Sequence, residues 1–190
     1  AGNTTRDGHV YAYDGTRWSD CGKVADCQIL AGLTVLDDML YVSAFEMFTD
    51  ADSHPGTGLY RMEKPGDWEF LGNPGERISP ITARNGKIVA GGYNKGGIYA
   101  YDPKLGQWEE WGRPPYEKTT QIYSFVEFKG ELLTGTWESA KVFAIEGPHR
   151  FRDLGVLGNE LEVMGMAVYN GKLYAGTLPL AQIYRYEEGT

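Results

Sequence analysis

The sequence predicts an all-β protein, specifically a β-propeller of four-stranded antiparallel blades, about five of them. Three observations carry the prediction. A short aromatic-bearing strand recurs five times, an aromatic residue with Gly four positions later follows it in four copies, and a second strand recurs behind a two-residue turn. A four-stranded unit returning every ~43 residues is the sequence pattern of a propeller.

The first recurring strand reads Val10-Tyr11-Ala12-Tyr13, Leu59-Tyr60-Arg61-Met62, Ile98-Tyr99-Ala100-Tyr101, Val142-Phe143-Ala144-Ile145 and Ile183-Tyr184-Arg185-Tyr186, with steps of 49, 39, 44 and 41 residues. Behind it come Trp18/Gly22, Trp68/Gly72, Trp108/Gly112 and Phe151/Gly155. Aromatics at one register are expected to be buried between blades. The second recurring strand begins at Met39, Lys87, Glu131 and Lys172, after the turns Asp37-Asp38, Asn85-Gly86, Lys129-Gly130 and Asn170-Gly171. Asn-Gly is a strong hairpin signal, because both residues of the turn need positive φ. Apolar stretches over 30–36, 78–84, 122–128 and 163–169 precede these turns, and their third residue is small or imino: Gly32, Pro80, Ser124 and Gly165. Small residues at one register suggest strands converging on a crowded axis. Each period thus holds strands a, b, c and d, and the repeats run approximately 1–27, 28–76, 77–120, 121–161 and 162–190.

Composition agrees with this pattern. Of 190 residues, 42% are hydrophobic, 13% aromatic and 23% charged, enough apolar surface for a core. There are 26 Gly, which suits many tight turns, and no stretch keeps helical apolar spacing unbroken. No apolar run is long enough to span a membrane as a helix. The charge balance, 18 basic against 26 acidic residues for a net −8, argues against nucleic acid or anionic lipid as a partner. Cys21 and Cys27 lack the companions of a zinc site and are either unpaired thiols or a local disulfide.

The repeat resembles the Kelch repeat. The span from Lys87 to Trp108, with Gly91-Gly92 and Tyr101, fits best; Ser43-Ala44, Gly135-Thr136 and Gly176-Thr177 replace the Gly pair elsewhere. Asp14-Gly15-Thr16-Arg17-Trp18 is also similar to the Asp-box turn of sialidase-like propellers. These are likenesses of scaffold, and the scaffold hosts binding and catalysis alike. Ala1-Gly2 aligns with Ala90-Gly91 and Ala175-Gly176, so the expected content is b-c-d, three full blades, then a-b-c. Such a ring of five would lack one d and one a strand.

In this fold the b–c and d–a loops gather on one face. The b–c loops are 3–7, 45–57, 93–96, 137–140 and 178–181, and 45–57 is the longest, which marks a binding face. Ligand-binding candidates are Glu46 on that loop, the aromatics Tyr93 and Trp137, and Arg77, Gln121 and Glu162 where strands a begin. Trp137 would stack on a ligand, Gln121 and Glu162 would hydrogen-bond, and Arg77 would take an anionic group. Asp50 and Asp52 are weak metal candidates on hard-cation grounds; no cofactor is expected. His9, His54 and His149 are too scattered for a catalytic set.

The expected function is therefore non-catalytic binding, of a glycan or an extended segment of another protein. The alternative is the propeller portion of a carbohydrate-active hydrolase or lyase, using Glu46 or Asp50 with Glu138 or Glu162 as paired carboxylates. Further domains in a longer chain would fit either reading, and the composition suggests an extracellular setting.

Overall fold

The computed structural model describes residues 6–47 and 54–187, which form seventeen strands and no helix. The chain divides into two compact units, residues 1–90 with 100–109, and residues 91–99 with 110–190. In the first unit, β1 (Gly8–Tyr13) and β2 (Trp18–Ala25) make a hairpin. The next four strands, β3 (Ile29–Leu36), β4 (Met39–Phe45), β5 (Gly58–Lys64) and β6 (Asp67–Phe70), form an antiparallel sheet in chain order. A second sheet of four, β7 (Ile78–Arg84), β8 (Lys87–Gly92), β9 (Ile98–Asp102) and β10 (Gln107–Gly112), contributes to both units.

The second unit holds β11 (Gln121–Phe128), β12 (Glu131–Trp137), β13 (Lys141–Gly147) and β14 (Arg150–Val156), then β15 (Glu162–Tyr169), β16 (Lys172–Leu178) and β17 (Ile183–Arg185). These two runs join into one sheet through a single pairing, Trp137 with Glu162.

Turn chemistry fixes the a–b hairpins. Asp37 and Asp38 (φ 50° and 61°), Asn85 and Gly86 (50° and 75°), Lys129 and Gly130 (52° and 79°) and Asn170 and Gly171 (49° and 70°) all have positive φ, the geometry whose twist matches paired strands. Strands b are the most buried, as the run Tyr41 to Phe45 shows, whereas β6 and β10 on the outside are mostly exposed. One core packs Val10, Cys21, Val24, Val42, Ala44 and Tyr60, with Leu40, Met62 and Trp68 against them. Its counterpart in the second unit packs Val142, Val163, Leu173 and Ala175, with Leu154 and Leu157 alongside.

The small-residue register coincides with a bulge, and the expected crowding is met at one copy and not at another. Pairing of strand a with strand b skips a residue between Leu30 and Gly32, between Ile122 and Ser124, and between Val163 and Gly165. A β-bulge therefore precedes the small residue in each of these copies. Crowding is real at Gly32, where an added Cβ would lie 2.8 Å from the Ser79 carbonyl oxygen, but Gly165 faces open space.

The aromatic register also needs correction. Trp68, Trp108 and Phe151 are half-buried, and Trp18 is 67% exposed. Trp68 Nε1 donates to the Cys21 carbonyl at 3.0 Å and Trp108 Nε1 to the Leu71 carbonyl at 3.2 Å, so each indole latches onto the outer strand of the preceding sheet. Among the described residues no sheet precedes β1–β2, so Trp18 has neither cover nor acceptor there. Both cysteines are buried and unpaired, and burial pushes the Cys27 thiol up to about 11.

Candidate functional site

Three of the predicted binding residues meet in the second unit. Trp137, at the end of β12, pairs with Gln121 at the start of β11 and with Glu162 at the start of β15. Paired residues project to the same face of a sheet, so a flat indole lies between an amide and a carboxylate. All three are half-buried. The backbone here is held from behind: Thr120 N–H donates to the Trp137 carbonyl at 2.9 Å and Glu138 N–H to the Lys118 carbonyl at 3.3 Å. Beneath the loop, Ser139 and Thr136 hydroxyls lie 2.7 Å apart, and Thr136 Oγ1 donates to the Lys141 carbonyl at 3.0 Å. These buried hydroxyls are satisfied within the b–c turn, which leaves half-buried Trp137 and exposed Glu138 on its outer side.

The electrostatics of the row are set by burial. Desolvation raises the Glu162 carboxyl above its ordinary value, because a partly buried carboxylate is poorly solvated. Gln121 Oε1 is buried with no hydrogen-bond donor among the described residues, a costly state for an amide oxygen. Tyr93 lies in the same unit with its ring 5.8 Å from that of Tyr123 in an edge-to-face pair, the hydroxyls 3.4 Å apart. Burial raises the Tyr123 phenol, and the hydrogen bond with Tyr93 and the charge of Glu162 raise it further.

Tyr123 was not visible as a site residue in the sequence. It is the bulge residue between Ile122 and Ser124, so simple alternation assigns it to the wrong face.

In the first unit, Arg77 and Glu46 serve the chain itself. Arg77 NH1 donates to the carbonyls of Glu46 at 3.3 Å and Met47 at 3.1 Å, and its guanidinium sits 5.8 Å from the Phe45 ring centroid. The Glu46 side chain is 1% exposed and accepts from Arg6 Nε at 3.1 Å. The loop between these anchors carries Asp50 and Asp52, which lie outside the described residues. Among the described residues no group of three His, Cys, Asp or Glu is placed to hold a metal ion.

No protein-family model matches this chain, and no curated protein does. Solved structures do. The extracellular domain of a putative hybrid two-component system from B. thetaiotaomicron superposes with a TM-score of 0.68 at 20% identity, covering 97% of this chain and 24% of that one. YCF48 bound to D1 peptide gives 0.64 at 12%, covering 96% and 58%. A virginiamycin B lyase from Staphylococcus aureus, solved with quinupristin, gives 0.62 at 13%, covering 96% and 60%. This chain has the β-propeller fold. It spans about a quarter of the B. thetaiotaomicron domain and under two thirds of the other two chains.

Proposed function

We propose that this propeller is a non-catalytic binding module that takes an extended segment of another protein on the row Gln121–Trp137–Glu162. One observation carries the reading: an indole flanked on paired strands by an amide with an unmet acceptor and by a poorly solvated carboxylate. Such a row suits a segment bearing an amide or ammonium donor and an apolar group to lie on the indole. A cation there would offset the desolvation of Glu162. The peptide-bound YCF48 structure supports the class of ligand, and the extracellular B. thetaiotaomicron neighbour supports an extracellular setting. The repeats are read as Kelch-like on the strength of 87–108. Tyr93 and Tyr123 would extend the apolar surface, while Arg77 and Glu46 hold the base of the long loop.

A glycan is the second reading, favoured by the same flat Trp137 face. Parallel peptide and glycan arrays separate the two. The expected result is capture of basic extended peptides, lost in Trp137→Ala and weakened about tenfold in Glu162→Gln, with unchanged circular dichroism. Binding that survives Trp137→Ala removes the site, and capture of glycans alone replaces the ligand class.

A further inference from the structure

In three copies of the repeat strand b ends on an aromatic residue, and the first residue of the following strand a belongs beside it. Phe45, Tyr93 and Trp137 share the first register, and Arg77, Gln121 and Glu162 share the second. The equivalence is structural as well, since Phe45 pairs with Ile29 and Trp137 with Gln121 at the same place in their hairpins. The three junctions can therefore be compared side chain by side chain.

At the first junction the chain covers the aromatic with a cation of its own. The Arg77 guanidinium sits 5.8 Å from the Phe45 ring centroid, and its NH1 donates to the carbonyls of Glu46 at 3.3 Å and Met47 at 3.1 Å. At the second, Tyr123 meets Tyr93 edge-on, the rings 5.8 Å apart. The third reverses the chemistry: Glu162 stands at the Arg77 position, paired with Trp137. Among the described residues neither the Trp137 indole nor the Glu162 carboxylate has a hydrogen bond, ion pair or ring contact. All 18 Lys and Arg residues of the sequence are described, and none pairs with Glu162. The strands that carry the row are laddered along their lengths, β11 with β12 and β15 with β16.

A cation from outside would complete the third junction as Arg77 completes the first. Trp is the best cation–π surface among side chains, and Arg is the cation found there more often. Two features select a guanidinium over an ammonium. The acceptors stand on opposite sides of the indole, Glu162 on β15 and the unmet Gln121 Oε1 on β11. A planar fork of five donors reaches both ways, whereas an ammonium concentrates three donors at one point. A guanidinium is also more weakly hydrated and loses less on entering a half-buried row. The net charge of −8 favours the approach of such a ligand.

We propose that the Trp137 row reads arginine: the partner segment presents one arginine whose guanidinium lies on the indole, forks onto Glu162 and reaches Gln121. This rests on the row being a peptide site and names the side chain that the site selects.

The test uses four fluorescein-labelled nonapeptide pools, titrated with the intact protein and followed by polarisation. Their flanks are randomised among Gly, Ser, Thr, Ala and Leu, and their central residue is arginine, lysine, citrulline or norleucine. The arginine pool is expected to bind saturably, at least about tenfold tighter than the lysine pool, with citrulline and norleucine weaker still. Glu162→Gln should bring the arginine and citrulline pools to the same weak affinity. Glu162→Arg, which copies the Phe45–Arg77 junction, should block the arginine pool with unchanged circular dichroism. If Glu162→Arg does not fold, the four pools on the unaltered protein and on Glu162→Gln decide. Equal binding of the arginine and lysine pools, both lost in Trp137→Ala, overturns arginine selection and leaves the row as a peptide site. Arginine binding that survives Trp137→Ala overturns the row itself, and no binding of any pool at millimolar peptide overturns both.

Discussion

His9 shows how one side chain ties stability to pH. Its Nδ1 lies 2.8 Å from Asp20 Oδ1 across the β1–β2 hairpin, and Asp7 is 3.4 Å from the other ring nitrogen. The hydrogen bond with Asp20 raises the imidazole above its ordinary 6.5, and the charges of Asp20 and Asp7 act in the same direction. A group whose folded value is raised stabilises the fold fully below its unfolded value, and that contribution disappears as pH climbs through the folded value. Melting temperature should therefore decline as pH is raised from about 6.5 through the folded value. An NMR titration should place His9 above 6.5, and Asp20→Asn should return it toward that value and flatten the decline. A folded value at or below 6.5 would refute this account.

At the scale of the element, the indole latch decides how much each aromatic contributes. Trp68 and Trp108 are half-buried and each bonds a carbonyl of the preceding outer strand, so replacement by Ala should cost about 2–3 kcal/mol, below the range for a fully buried aromatic. Trp18, largely exposed, should lose no more than about 0.5 kcal/mol. Gly22→Ala should cost more than Gly155→Ala, although both have positive φ, because only Gly22 is met by a neighbouring backbone. Urea denaturation of the five variants tests the whole order; equal losses for Trp18 and Trp68 would remove the latch.

The repeat, its turns and the order of strands were legible because hairpin chemistry and side-chain alternation are local. That Gln121 and Glu162 open equivalent strands was legible, since one register of the repeat aligns them, whereas the pairing of Trp137 with both emerges only from the strand register. Burial at Trp18 and the role of Tyr123 were not. The first depends on a neighbouring sheet and the second on a bulge, and neither leaves a mark in the spacing of residues. Arg77 was legible as a position but not as a clamp, because its acceptors are main-chain carbonyls.

On the scale of the whole molecule, the net charge of −8 sets the long-range field. A polyanion gains nothing by approaching it, so the protein should pass through a heparin column at low salt and bind an anion exchanger. Retention on heparin would point to a local basic surface stronger than the overall balance. The latch has a further consequence, one for descent. Its acceptor is a main-chain carbonyl, that of Cys21 for Trp68 and that of Leu71 for Trp108, so the side chain there can drift without breaking the joint. A copied repeat brings its own donor and finds a ready acceptor in whichever copy precedes it. Lengthening the array by duplication then needs no new interface to evolve, and the copies are free to diverge everywhere except at the aromatic and the glycine.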